Sequence, residues 1–111
     1  MKYIENIYPD VTTIVVSRLR PFLNICKVVG NEEYCNIRLE YRPNKKLLDV
    51  ASLRQYFYDN EPFNDTIEGI AQRVYKEIVR TIDPLYVKLH VYVENLPHID
   101  WGVIIEKGEQ K

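Results

Sequence analysis

The sequence predicts an α+β fold: an antiparallel sheet with two helices on one face, in the order β-β-α-α-β-β. Three observations lead there. From Tyr34 the side chains alternate, with Cys35, Ile37, Leu39 and Tyr41 on one face and Tyr34, Asn36, Arg38, Glu40 and Arg42 on the other. Tyr86 to Glu94 alternates again, placing Val87, Leu89, Val91 and Val93 inward and Lys88, His90, Tyr92 and Glu94 outward. Between these strands, Ile67, Ile70, Ala71, Val74, Ile78 and Ile82 recur at three- and four-residue intervals, the apolar stripe of an amphipathic helix. Strands on either side of two consecutive helices imply an antiparallel sheet covered on one side.

The elements follow in order. Val11 to Ser17 (Val-Thr-Thr-Ile-Val-Val-Ser) is β-branched and apolar, and reads as the first strand. Pro21 interrupts the next segment, and Cys26 to Asn31 makes a turn into the strand Glu33 to Tyr41. Arg42-Pro43-Asn44 ends that strand. Leu48 to Tyr58 reads as a short helix with Asp49 near its start and Val50, Leu53 and Phe57 on one stripe. The long helix runs from about Thr66 to Ile82, with Asn64 or Asp65 as its cap and Asp83-Pro84 as its stop. After Tyr86 to Glu94, the Pro-containing turn Asn95 to Asp100 leads into a last strand, Trp101 to Glu106. The outward residues Asn36, Arg38, Glu40, Lys88, His90 and Tyr92 leave one sheet face polar, either wet or lining a larger barrel built from several subunits. Unpaired edge strands favour the second solution, so a homo-oligomer is expected.

Composition narrows the function classes. A length of 111 residues fits one domain spanning 1–111. A formal net charge of -1 argues against a surface coated in basic charge for non-specific nucleic-acid binding. A local patch is still compatible, since Arg18, Arg20, Lys27, Arg38, Arg42, Lys45 and Lys46 all fall in the first half. Two cysteines without a Cys-x-x-Cys arrangement point to neither a disulfide framework nor a metal site. The absence of a long apolar run and of a secretory signal at Met1 to Asp10 gives the expectation of a soluble, cytoplasmic protein without membrane partners.

The two cysteines differ in phase. Cys35 lies on the apolar side of its strand and reads as a small core residue. Cys26 lies in a polar, Gly-containing turn where solvent and substrate reach it, with Glu33 seven residues later at the mouth of the next strand. A thiol and a carboxylate across a turn form a plausible nucleophile and proton-donor pair. The plain alternative is a partly buried structural thiol beside a strand-end surface acid.

From about Ile25 to Gly102 the chain resembles the QueF group of tunnelling-fold proteins, which act on 7-cyano-7-deazaguanine. That group's nucleophile motif, Cys-Pro-x-Thr-Gly-Gln-Pro-Asp followed by an aromatic residue, is matched without a gap by Cys26-Lys-Val-Val-Gly30-Asn-Glu-Glu33-Tyr34. Arg38-Leu-Glu-Tyr-Arg-Pro-Asn-Lys-Lys-Leu-Leu48 is similar to its Ile-Glu-Tyr-Ile-Pro-Asp-Lys-Lys-Leu-Val, and Asp83-Pro84-Leu85-Tyr86 to its Asp-Pro-x-Tyr. The resemblance implies the tunnelling fold (T-fold), whose subunits assemble into a barrel.

The departures from the pattern bear on activity. Reducing members carry a Glu-Ser-Lys-Ser-Leu-Lys signature associated with NADPH; here that frame reads Asp49-Val50-Ala51-Ser52-Leu53-Arg54, without the Ser-Lys pair. Their Arg-Gly-Gly near the last turn is replaced by Leu96-Pro-His-Ile-Asp100. The chain looks more like the QueF-like archaeal proteins, which join ammonia to the nitrile of 7-cyano-7-deazaguanine already in tRNA, giving the amidine of archaeosine. On that likeness Cys26 is the nucleophile, and Glu33 stands where the family has Asp. Asn64 and Asp65 stand where it has the base-binding His-Glu. No redox cofactor and no metal are implied; the partners are the modified tRNA and ammonia. An NADPH-dependent nitrile reductase and a non-catalytic T-fold binding protein are the alternatives.

Overall fold

The structure, a computed structural model, describes residues 1–109. Its elements are β1 (Tyr3–Glu5), β2 (Ile14–Val16), β3 (Phe22–Ile25), β4 (Glu32–Arg42), β5 (Lys46–Leu48), α1 (Val50–Asn60), α2 (Ile67–Ile82), β6 (Tyr86–Val93) and β7 (Trp101–Gly108). β4 is the spine. It pairs antiparallel with β6 along one side, and β6 pairs antiparallel with β7. Along its other side β4 takes two short partners end to end: β3 from Phe22↔Cys35 to Ile25↔Glu32, and β2 from Ile14↔Tyr41 to Val16↔Leu39.

The first strand is therefore shorter than expected and is followed by a second piece that the periodicity did not show. Between the pieces the chain leaves the ladder, and the Asn36 side chain replaces the missing backbone partner. Its Oδ1 accepts from Leu19 N at 2.8 Å and its Nδ2 donates to Leu19 O at 2.7 Å. Asn36, expected on the open polar face, is consequently fully buried. Its amide is satisfied, as burial of a polar group requires. The rest of that face, from Arg38 to Tyr92, stays exposed or half-buried.

The opposite face carries the core. Cys35, Ile37, Leu39 and Tyr41 of β4 and Val87, Leu89, Val91 and Val93 of β6 are buried, and α2 buries all six residues of its predicted stripe. Each larger apolar side chain so placed contributes about 1.5–3 kcal/mol. α1 buries Leu53 and Phe57, but Val50, expected on that stripe, is exposed because it occupies the first helical position. Leu48, expected in the helix, belongs instead to β5, which pairs with β1 in a two-stranded ribbon. Asp49 caps α1 by accepting from Ala51 N.

The cap of α2 is neither Asn64 nor Asp65. Thr66 holds that position, its Oγ1 accepting from Gly69 N at 3.0 Å. The helix ends at Asp83, which adopts the left-handed conformation. Among the described residues no helix is long and apolar enough to cross a membrane.

Candidate active site

Strand β3 places the candidate residues together because it is held on both sides. Antiparallel pairing with β4 sets Asn24 opposite Glu33. On its other edge the segment 63–65 runs parallel to it: Phe63 N donates to Leu23 O at 2.9 Å and Ile25 N to Phe63 O at 2.8 Å. Phe22, Phe57 and Phe63 pack beneath, with ring centroids 4.6 to 6.0 Å apart, and fix the strand against α1. Cys26 follows directly as the first residue of the hairpin loop. Its N donates to Asn31 O at 2.9 Å and its carbonyl accepts from Gly30 N at 2.8 Å. Gly30 has φ 77°, a conformation that glycine adopts without steric cost.

Asn24 ties the cluster together. It is fully buried, and its Nδ2 donates to Glu33 Oε1 at 2.8 Å and to the Asp65 carbonyl at 2.9 Å. Its Oδ1 accepts from Asp65 N at 3.2 Å. One side chain thus links the strand carrying Glu33 to the loop carrying Asp65. Glu33 is only 5% exposed although it sits near the strand end, so it is not the surface acid of the plain reading. The Asp65 carboxylate is half-buried. Its Oδ1 accepts from Thr66 N at 2.7 Å and lies 3.9 Å from Lys27 Nζ, whose backbone N also reaches the Asp65 carbonyl.

Cys26, Glu33 and Asp65 therefore share one end of the sheet. Asn64 is exposed on the loop and makes none of these contacts. The two thiols differ as their phase implies: Cys26 is partly exposed, whereas Cys35 is fully buried. Burial first, then the carboxylates of Glu33 and Glu94, push the Cys35 thiol up to about 12, which leaves it inert.

Sequence reasoning missed Asn24. Its signal was the inward phase it shares with Phe22 in Phe22-Leu-Asn-Ile25, readable only once that segment is known to be a strand.

The frame aligned with the reductase signature lies at the start of α1. Val50, Ala51 and Arg54 are exposed there. The Ser52 hydroxyl is already engaged, accepting from Lys2 N at 2.8 Å and donating to Asp49 O at 2.7 Å.

The model of the family described as QueF-like protein matches residues 33–111. NADPH-dependent 7-cyano-7-deazaguanine reductase of Bacteroides fragilis is 24% identical over 85 residues, covering 77% of this chain and 56% of that protein. The enzyme of the same name from Chlorobium chlorochromatii is 28% identical over 82 residues, covering 72% of this chain and 69% of that one. The chain thus spans about half the length of the Bacteroides relative.

Among solved structures, the apo form of the archaeosine synthase QueF-Like superposes with a TM-score of 0.74 at 14% identity, covering 90% of this chain and 97% of that one. A putative dihydroneopterin aldolase (FolB) from Vibrio cholerae superposes with a TM-score of 0.70 at 16% identity, covering 87% and 97%. At such identities the likeness is one of fold, and it bears out the α+β tunnelling fold expected from the sequence.

Proposed function

The chain belongs to the QueF-like protein family, and on that premise we propose that it joins ammonia to the nitrile of 7-cyano-7-deazaguanine in tRNA, forming the amidine of archaeosine. The observation that carries this reading is the buried Glu33 carboxylate, held by Asn24 at the end of the sheet where the Cys26 hairpin begins. The altered frame at α1 supports ammonia over hydride. Val50 and Ala51 offer neither hydroxyl nor cation, and Ser52 is engaged elsewhere.

In this scheme Glu33 takes the Cys26 proton, and the thiolate adds to the nitrile carbon, forming a C–S bond. The electron pair of one C–N π bond moves to nitrogen, which receives the proton from Glu33, giving a thioimide. Ammonia then attacks the same carbon. The C–S bond breaks, the thiolate leaves with its electron pair, and the proton released by the incoming nitrogen returns to Cys26 through Glu33. Nitrile plus ammonia gives amidine, so the reaction is redox-neutral and takes no hydride donor. Asp65, fixed by Asn24 and Thr66, accepts hydrogen bonds from the N–H groups of the purine-like edge. Asn64 flanks it from the solvent side. The protein acts in the cytoplasm as a homo-oligomer, with β7 and β2 as the sheet edges available for pairing.

Nucleoside mass spectrometry tests the reading on tRNA carrying 7-cyano-7-deazaguanine, incubated with the protein, ammonium and NADPH together. A product heavier by one ammonia is expected. Addition of four hydrogens would identify a reductase, and an unchanged nitrile would favour a binding protein. Cys26→Ala should abolish both adduct and turnover with the fold intact; turnover that survives the substitution would eliminate the covalent scheme.

A further inference from the structure

The basic residues of the first half do not gather on one surface, but some of them meet. Arg38 pairs with Glu40, and Lys46 lies over the Tyr3 ring at 4.3 Å. Arg18 and Arg20, on the excursion between β2 and β3, instead face Arg54 of α1 across a groove of about 460 Å³ that also takes in Val50, Ala51 and Tyr58. Among the described residues, no carboxylate lines this groove. Arg18 is tied to Glu94 at 2.7 Å, outside it. Arg20 sits over the exposed Tyr58 ring at 5.3 Å, and Arg54 joins no ion pair among the described residues. In a chain of net charge -1, the two guanidinium groups of Arg20 and Arg54, which join no ion pair among the described residues, are a local concentration of positive charge on this wall.

We infer that this groove binds the sugar-phosphate backbone of the RNA substrate on one side of the modified base, an assignment that rests on the tRNA reading above. Guanidinium forks match phosphate oxygens in pairs, and an aromatic face beside them accepts an unstacked base. The arrangement favours a run of phosphodiesters over the terminal phosphate of a nucleotide. A monoester needs several donors converging on one point, whereas Val50 and Ala51 are apolar and the Ser52 hydroxyl is engaged. The groove also lies at a useful distance. Cys26 stands six positions after Arg20, about 20 Å along an extended chain. A base drawn out of its stack to reach Cys26 leaves flanking phosphates to be held elsewhere on the protein. A separate hollow beside the groove shares Arg20, Arg54 and Tyr58 with it and is closed by Glu61, whose Oε1 accepts from Leu23 N at 2.8 Å and whose charge also acts on Arg20.

Fluorescence anisotropy with a labelled, unmodified tRNA transcript tests the proposal across a salt series. It compares the wild type with the Arg20→Ala/Arg54→Ala and Arg20→Lys/Arg54→Lys doubles. Circular dichroism serves as the fold control for these two exposed positions. The alanine pair should lose about tenfold in affinity. Its slope of log affinity against log salt should flatten by about 1.4 to 1.8, or about 0.7 to 0.9 for each phosphate no longer neutralised. The lysine pair should keep most of the slope, and NADPH should not displace the RNA. Wild-type affinity and slope in the alanine pair would overturn the assignment, as would displacement by NADPH or a wild type that does not bind the transcript.

Mass spectrometry of the intact protein with free 7-cyano-7-deazaguanine reports separately on the thiol. Groove-dependent RNA binding without a Cys26 adduct would uphold the groove and refute the covalent chemistry.

Discussion

Replacing Asn24 should damage the protein more than its size suggests. Asn24→Ala removes the donor to Glu33 Oε1 and both links to the Asp65 backbone, from a position with no solvent exposure. A hydrogen bond to a charged group is worth about 1.5–3 kcal/mol and each neutral one about 0.5–1.5 kcal/mol, so the three together amount to about 2.5–6 kcal/mol. That is a large part of the roughly 5–15 kcal/mol that holds a domain folded. Urea denaturation measures the loss directly as a drop in midpoint. Asn24→Leu separates the causes: it refills the space but leaves the Glu33 carboxylate and the Asp65 peptide groups without their partner. If the polar links dominate, Leu should be no better than Ala. A loss below about 1 kcal/mol, or recovery with Leu, would refute the view that Asn24 joins strand and loop. In the proposed reaction Asn24 is a positioning residue. Its loss should move the pH profile of turnover, which reduced stability alone leaves in place.

Thiol labelling should separate the cysteines. With its pKa at about 12, Cys35 is thiolate in only about one molecule in ten thousand at pH 8. An ordinary cysteine near 8.5 is about one quarter thiolate there, so Cys35 should react more than about a thousandfold slower, before burial is considered. Native protein should take up one label, and Cys26→Ala none until denatured; rapid labelling of a second thiol would refute the assignment. His90 gives a stability slope in acid. Burial, then Lys88 and Arg38, lower its pKa, so the unfolded chain binds the proton first as pH falls. Stability should therefore decline from about pH 6.5 down to the lowered folded value, and His90→Gln should remove that component from a pH series of urea midpoints. Gly69→Ala probes Asp65 without touching it. The added Cβ would stand 2.5 Å from Asp65 Oδ1 and 2.7 Å from Oδ2, forcing the carboxylate aside. Calorimetric titration with the nitrile base should show weaker binding, with urea stability changed by less than about 1 kcal/mol, since helix propensity favours Ala over Gly.

The sequence disclosed those parts of the fold whose neighbours are regular. Strands β4 and β6 and helix α2 each carry enough alternating residues for the phase to name the buried face, and the same phase distinguished Cys35 from Cys26. Strand β3 was hidden because its four residues show too little alternation to stand alone. It forms because β4, at 11 residues, is long enough for two partners. The cap of α2 was misread because Asn64, Asp65 and Thr66 are all capable caps in succession. The structure chooses Thr66 because Asn24 already holds the Asp65 backbone. Glu33 and Asp65 could be nominated from the sequence, but their connection could not, since it runs through a residue more than 40 positions from one of them.

The break between β2 and β3 explains several of these surprises together. Pro21 has no N–H to offer the ladder, so the edge strand cannot pass through it unchanged. The chain leaves the sheet at Ser17 to Pro21, and Asn36 fills the gap with two hydrogen bonds to Leu19. This excursion carries Arg18 and Arg20 to the groove shared with Arg54. When the chain returns as β3, Phe22 and Asn24 face inward, one packing on Phe57 and the other binding Glu33. A continuous edge strand could have carried the Cys26 hairpin, but would have kept residues 18–20 on the strand path. The interruption therefore links the proposed RNA surface to the candidate chemical site through a single piece of backbone. Asn36→Leu should expose that link. It leaves the Leu19 backbone groups unpaired and should weaken tRNA binding, although Asn36 is buried and lies outside the groove lining.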